Sequence, residues 1–244
     1  MKIIFLLIPA FFLYQEGLAQ SGSISFERKQ NMHKNLPPEE EKMKALVPPY
    51  TSESLVLYYN GDKTIIKPSG KEEKVKGPLE GQHNSFIIIG AEPLVKQIYV
   101  NHKERKKVIV RELGPKTYLI EDTLPTVQWK ITNNAPQQIL GMSCTKATAI
   151  NEKGQLMEAW FTHAIPVPGG PDQYSGLPGI ILKLSINGDE IVYTATGIGK
   201  EQKDTVKKPA KGKKVTQKEY NDLLEASFGA PPPGGVPVRR PFRG

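Results

Sequence analysis

The chain has 244 residues, 33 lysines and arginines against 25 acids, a formal net charge of +8, and a single cysteine. That length suits one domain with tails, and a lone cysteine excludes an internal disulfide framework, so stability has to come from a hydrophobic core.

Residues Met1 to Ala19 have the layout of a signal peptide: Lys2, an apolar run from Ile3 to Tyr14, then Gly17-Leu18-Ala19 before Gln20. A run of about a dozen residues is too short for a bilayer core that takes roughly 20. The expectation is an exported chain cut after Ala19, without a transmembrane segment, in the periplasm or cell envelope.

Ser23 to Phe26 starts the strand candidates, with Ile24 and Phe26 on one face. Between Asn35 and Val47, Pro37-Pro38 precedes three glutamates, and Lys42 and Lys44 follow, an arrangement that suits a short helix ended by Pro48-Pro49. Period-two patterning begins at Glu53: Leu55, Leu57 and Tyr59 share a face, Asn60-Gly61 is a hairpin turn, and Thr64 to Lys67 returns. Pro68 to Asn84 reads as a loop and Phe86 to Ile89 as a strand covered on both faces. Further short strands follow around Ile98 and Val100, Val108 and Val110, Tyr118 and Ile120, and Val127, Trp129 and Ile131.

Ile139 to Ile150 reads as one long strand with Leu140, Met142 and Cys144 on one face, and Asn151 to Gly154 turns it back into Gln155 to Thr162. The next hairpin runs from Ile180, Leu182, Leu184 and Ile186 into Asn187-Gly188. A two-residue turn there sets Leu184 opposite Ile191 and Leu182 opposite Tyr193. Lys200 to Lys218 holds eight lysines against two acids, a net +6 of the chain's formal +8, and reads as a solvated linker. Thr216 and Glu219 have capping-box spacing before a stripe of Tyr220, Leu223, Leu224 and Phe228. Gly229 to Gly244 has the composition of a polyproline or disordered tail.

The fold class expected is mainly β, an antiparallel sheet forming an open barrel or sandwich, with a few short helices. The division is a signal peptide over 1–19, one β domain over 20–198, a lysine-rich linker over 199–215, a short amphipathic helix over 216–228 and a Pro/Gly-rich tail over 229–244.

The stretch Ala159 to Leu184 is the most informative. Four prolines (Pro166, Pro168, Pro171, Pro178) and four glycines (Gly169, Gly170, Gly176, Gly179) bar helix and sheet ladder between two strand-like runs. Connections of such length are functional or disordered, and the apolar groups Ile165, Val167, Tyr174 and Leu177 favour order. Gly176-Leu177-Pro178-Gly179-Ile180-Ile181 resembles the signature of the GLPGLI family, secreted proteins of Bacteroidota-type bacteria, with Ile180 in place of leucine. Trp129-Lys130-Ile131, Gly141 to Ala147, Ala159 to Thr162, Ile165-Pro166 and Gly170-Pro171 resemble family positions in the family order, whereas Met142 departs from the expected aromatic. The resemblance implies a cell-envelope address and a fold; it brings no assigned activity and no catalytic residue.

The site expected is therefore a binding loop: Trp160, Ile165, Pro166, Gly170, Pro171, Tyr174, Gly176, Leu177, Pro178 and Gly179, with Trp160 and Tyr174 as the contacting side chains. The bland reading of Gly176 to Gly179 is a tight turn that sets the entry to a strand. It is not a phosphate cradle, because a strand follows where a helix is needed. Ser175, His163 and Asp172 have the residue types of a hydrolase triad without a strand-to-helix elbow. Cys144 is a candidate thiol nucleophile or soft-metal ligand, yet its neighbours Leu140 and Met142 favour a core position. No two of His33, His83, His102 and His163 have metal-ligand spacing, although Cys144 with His163 is a conceivable copper or zinc pair.

The favoured function is a non-enzymatic binding or assembly component of the envelope. A secreted hydrolase or thiol-dependent enzyme using Cys144, His163 or Asp172 and a copper or zinc handling protein are the alternatives. No cofactor is expected. The partner expected is an envelope protein or an anionic envelope surface; nucleic acid is not, since no aromatic residue interleaves the lysines.

Overall fold

The computed structural model describes residues 21–35, 44–45, 48–70, 95–200 and 205–228. Among them lie twelve strands in one sheet. They are β1 (Ser21–Asn31), β2 (Tyr50–Asn60), β3 (Lys63–Pro68), β4 (Val95–Asn101), β5 (Lys106–Leu113), β6 (Lys116–Thr123), β7 (Lys130–Ile139), β8 (Met142–Ile150), β9 (Leu156–Thr162), β10 (Ile180–Ile186), β11 (Ile191–Gly199) and β12 (Lys213–Val215). The helix α1 spans Gln217–Phe228. Among the described residues, no helix is long and apolar enough to cross a membrane.

The strand order is β12-β6-β5-β4-β3-β2-β1-β11-β10-β9-β8-β7. The chain thus enters in the middle of the sheet and meanders outward to β6. It then crosses to the far edge and meanders back until β11 pairs with β1. That crossing fixes the shape. Thr123 and Lys130 are joined by residues 124–129, which reach at most about 25 Å, yet ten strand steps separate β6 from β7, about 48 Å if the sheet were flat. The sheet must fold over itself. The result is sandwich-like and is not closed into a barrel.

The fold-over buries one face. Ile24, Phe26, Leu57, Ile66, Ile98, Ile109, Ile120, Ala159, Phe161, Leu182, Leu184 and Tyr193 meet in one cluster across both halves. The reason is period two: each strand sends alternate residues inward. Strands β3 to β6 are also covered outside, where Ile65, Tyr99, Val108, Val110 and Leu119 form a second cluster against Tyr58 and Val206.

Helix α1 starts as its spacing predicts. Thr216 N donates to Glu219 Oε2 at 2.7 Å and Glu219 N to Thr216 Oγ1 at 3.2 Å. Tyr220 is fully buried, its ring edge-on to Tyr118 at 5.7 Å, while Leu223 and Leu224 lean on the main cluster.

Four expectations change. Ile139 to Ile150 is two strands, because Leu140 and Gly141 both take positive φ (50° and 77°) and make a hairpin turn. The β10–β11 hairpin closes with Ile186 opposite Ile191 and Leu184 opposite Tyr193, two residues from the expected register. Its longer loop is held by Ser185 Oγ, which donates to Asp189 Oδ1 at 2.6 Å, and by Glu190 N donating to Ile186 O at 3.0 Å. An even shift preserves which residues face inward. The third strand end moves too, since β7 begins only at Lys130. Finally, Lys213 to Val215, read as linker, pairs parallel to Tyr118 to Ile120. The signal peptide, most of the Asn35–Val47 helix and the Pro68–Asn84 loop, the Phe86–Ile89 strand and the tail lie outside the described residues.

Candidate functional site

The connection between β9 and β10 lies inside the fold. Ile165, Val167 and Leu177 are 7%, 3% and 2% exposed and belong to the main cluster. Backbone bonds hold the loop to its own exit strand: Ile180 N donates to Ile165 O at 3.0 Å and Ile181 N to Gly169 O at 2.9 Å. Gly176 N donates to Pro168 O at 3.2 Å, and Trp129 Nε1 donates to Ser175 O at 2.9 Å from the crossing segment. Glycine at 170 serves close approach, for an added Cβ would stand 2.8 Å from Ile181 Cβ and 2.9 Å from Tyr174 O.

Beyond the apolar core the same inward rows become polar. Ile24 and Phe26 on β1 are followed in phase by Arg28 and Gln30, and Leu57 and Leu55 on β2 by Glu53. Arg28 lies opposite Glu53 on one side and Tyr193 on the other, so three neighbouring strands present a row of Glu53, Arg28 and Tyr193. The loop closes it with Asp172, a non-glycine residue at φ 57°. Arg28 Nε donates to Tyr193 OH at 3.3 Å and Nη2 to Gln30 Oε1 at 2.9 Å, and Tyr193 OH donates to Asp172 Oδ2 at 3.3 Å.

The electrostatics follow from burial, partial at Arg28 and Glu53 and nearly complete at Tyr193. Loss of water works against the Arg28 charge, but Tyr193, Glu53 and Asp172 outweigh it and raise its pKa. Burial raises the Glu53 carboxyl, opposed by Arg28 and aided by Asp172. Burial first, and Asp172 second, push the Tyr193 phenol well above its usual value. The arrangement offers a fixed cation between two carboxylates and neighbouring hydroxyls, chemistry suited to holding a polar group.

The sequence-predicted residues divide. Ile165, Gly170, Pro171, Leu177 and Gly179 are buried; Pro166, Gly176 and Pro178 are exposed; Tyr174 is half-buried beside Asp172. Trp160 lies on the opposite face of β9 from buried Ala159 and Phe161, with Lys146 Nζ 5.1 Å and Lys183 Nζ 4.8 Å from its ring. The structure thus does not bring Trp160 and Tyr174 to one surface. Arg28, Glu53 and Tyr193 were not among the site residues read from sequence, although polar residues in phase with an inward apolar row were a legible signal.

The candidate catalytic groups have separate surroundings. His163 is exposed and stacks edge-on to Phe161 at 5.1 Å, Ser175 is buried under Trp129, and Asp172 faces Tyr193. Cys144 is fully buried and its Sγ donates to Met142 O at 3.5 Å; burial raises its pKa, partly offset by the Ile139 backbone. Among the described residues, no three His, Cys, Asp or Glu side chains gather as a metal site.

With this geometry in place, the comparisons with known proteins bear on the loop first. A family model described as a protein of unknown function (Porph_ging) matches residues 151–183. Those residues are the β8–β9 turn, β9, the loop and the first half of β10. No curated protein matches the chain. The fold is similar to solved structures of PNGF-II in the C2 space group, with a TM-score of 0.56 and 18% identity over 84% of this chain and 32% of that one. For PNGF-II in the P21 space group the TM-score is 0.54 with 18% identity, over 84% of this chain and 33% of that one. The chain thus spans about a third of PNGF-II, and the likeness is one of fold.

The loop also rests on a histidine. His102 Nε2 lies 3.1 Å from Thr64 Oγ1, and a Cβ at Gly169 would stand 3.3 Å from it. Burial lowers the His102 pKa from 6.5 to about 4, with Asp62 acting in the opposite sense. Between those values the unfolded chain binds the proton and the folded chain does not, so stability is full above pH 6.5 and falls as pH drops toward 4. Discounted for the ring's partial exposure, the loss is about 1 to 2 kcal/mol. The urea midpoint should drop between pH 7 and pH 4.5 in the wild type, and by measurably less in His102→Gln. Equal drops would remove His102 from the account.

Proposed function

We propose that the chain is an exported cell-envelope protein of the GLPGLI type and acts as a non-enzymatic binding or assembly component. Its contact is the polar mouth where Asp172 and Tyr174 of the loop meet Arg28, Glu53 and Tyr193. The observation that carries this reading is the row itself: a paired cation and carboxylates stand in phase with core residues, half-buried, under the segment that the family model matches. Half-burying charge costs stability, and a core-facing row has no structural need for it. In this role the buried part of the loop is scaffold, and Tyr174 is the aromatic contact that remains of the pair expected from sequence.

The test is a crosslinking pull-down of the tagged full chain from envelope fractions, with Tyr174→Ala and Trp160→Ala alongside and each variant checked by circular dichroism. A contact at the mouth predicts that recovery of the partner falls by about tenfold in Tyr174→Ala and is unchanged in Trp160→Ala. Loss in the tryptophan variant alone would move the contact to the outer face, and unchanged recovery in both would sink the mouth as the site.

A further inference from the structure

A concavity of about 500 Å³ lies on the outer side of β3 to β6, floored by Tyr99 and Val108 and bordered by Lys208. It is independent of the polar mouth. Its wall is one cross-strand row, Lys63 opposite Asn101, Asn101 opposite Lys106, and Lys106 opposite Thr123. Asn101 is only 8% exposed, and its Oδ1 accepts from Glu104 N at 3.1 Å. A lysine therefore stands on each side of a buried amide.

The charges lining this space are unevenly matched. Glu121 is engaged by Lys208 at 3.1 Å and Lys214 at 3.4 Å, and Asp122 by Lys107 at 3.6 Å. Lys107 is itself 8% exposed, lies out of phase with that row opposite Val100, and is engaged by Gln173, to whose Oε1 it donates at 2.7 Å. Lys63 and Lys106 make no ion pair among the described residues, and Glu104 is the remaining acid at the rim. Two like charges facing one concavity repel, and an anion placed between them removes that cost.

We propose that this concavity is an anion-binding site, with Lys63 and Lys106 as its cationic arms and Asn101 and Tyr99 as neutral polar groups beside them. The ligand class is a phosphate-bearing molecule, either a free phosphate compound or a lipid headgroup. Lysines on either side of one amide suit a compact, multiply charged oxyanion.

Titration of the full chain with inorganic phosphate, followed by calorimetry at low salt, is the direct experiment, with cosedimentation on phosphatidylglycerol vesicles as its second arm. The double variant Lys63→Gln/Lys106→Gln should weaken binding by about tenfold or more. Glu104→Gln should tighten it, because a competing negative charge is removed, and Lys29→Gln on β1 should leave it unchanged. Saturable phosphate binding with that pattern supports the site as a small-molecule pocket. Vesicle binding with the same variant pattern but no response to free phosphate supports it as a headgroup site. No binding in either arm, or equal binding by the double variant, overturns the proposal.

Discussion

Gly179→Ala is expected to unfold the chain or to cost more than about 4 kcal/mol, in the range reserved for backbone and core collisions. A Cβ at Gly179 would stand 2.1 Å from Thr162 O and 2.8 Å from Thr162 C, where the loop leaves β9 and enters β10 side by side. Neither partner is a flexible side chain. Thr162 pairs with Ile180 in the ladder, so relieving the clash means parting two central strands. Gly176 is the internal control. It has φ 97°, but an added Cβ meets nothing nearer than Trp129 Cδ1 at 4.0 Å, so Gly176→Ala should cost only the backbone strain of about 1 to 2 kcal/mol. Chemical denaturation of both variants reads the difference. A Gly179→Ala protein as stable as Gly176→Ala would show that the two strands do not run this close.

Leu177→Ala should cost about 3 kcal/mol, the usual loss for a buried leucine whose neighbours close only partly around the gap. Leu177 is 2% exposed and packs in the main cluster, whereas the next residue, Pro178, is exposed. Pro178→Ala should therefore lose at most about 1 kcal/mol, mainly through added freedom of the unfolded chain. Urea midpoints for the pair test whether the leucine of the motif is an interior anchor. Near-wild-type stability of Leu177→Ala would return it to the role of a surface contact. Together the two experiments separate the parts of the motif: glycine for strand approach, leucine for the core, and an exposed proline between them.

These roles bear on the binding function proposed for the loop. A segment of such proline and glycine content is held in one conformation by burying Ile165, Val167 and Leu177 and by the Trp129 bond to Ser175 O. Rigid placement of Asp172 and Tyr174 follows, which lowers the ordering cost of holding a partner. Acid acts on the same seat through His102, so the stability loss below pH 6.5 should appear first as exposure of the loop.

Local chemistry was legible wherever a short stretch of chain decides the outcome. The β2–β3 hairpin was legible because its turn residues and alternating faces lie within a dozen positions, although its turn is Gly61-Asp62, one residue past the Asn60-Gly61 expected, with Asn60 opposite Lys63 and Leu57 opposite Ile66. The Thr216–Glu219 cap and the Asn151–Gly154 turn were equally readable, since each depends on neighbours in sequence, whereas Cys144 is interior although Leu140, one of the neighbours that suggested it, is exposed in the turn. Leu140 at positive φ was not readable, as an apolar residue in phase with Met142 and Cys144 looks like strand until the hairpin places it. The inward parity of the β10–β11 hairpin came from the alternation, but its register was decided by the Ser185–Asp189 bond.

What the sequence by itself determined, then, is a mainly β chain whose strands, faces and terminal helix are encoded by period and caps. Only the tertiary structure decided that β1 joins the two meanders, because pairing between β1 and β11, as of Gln30 with Ile191 or Ser23 with Gly199, links opposite ends of the domain and has no local signature. That join sets Arg28 between Glu53 and Tyr193, turns the loop inward onto the row, and leaves Trp160 on the other face between two lysines. The physical reason is the fold-over imposed by the short crossing at residues 124–129: once β7 must return within reach of β6, the motif loop becomes part of the interior and its mouth the place where charge meets solvent.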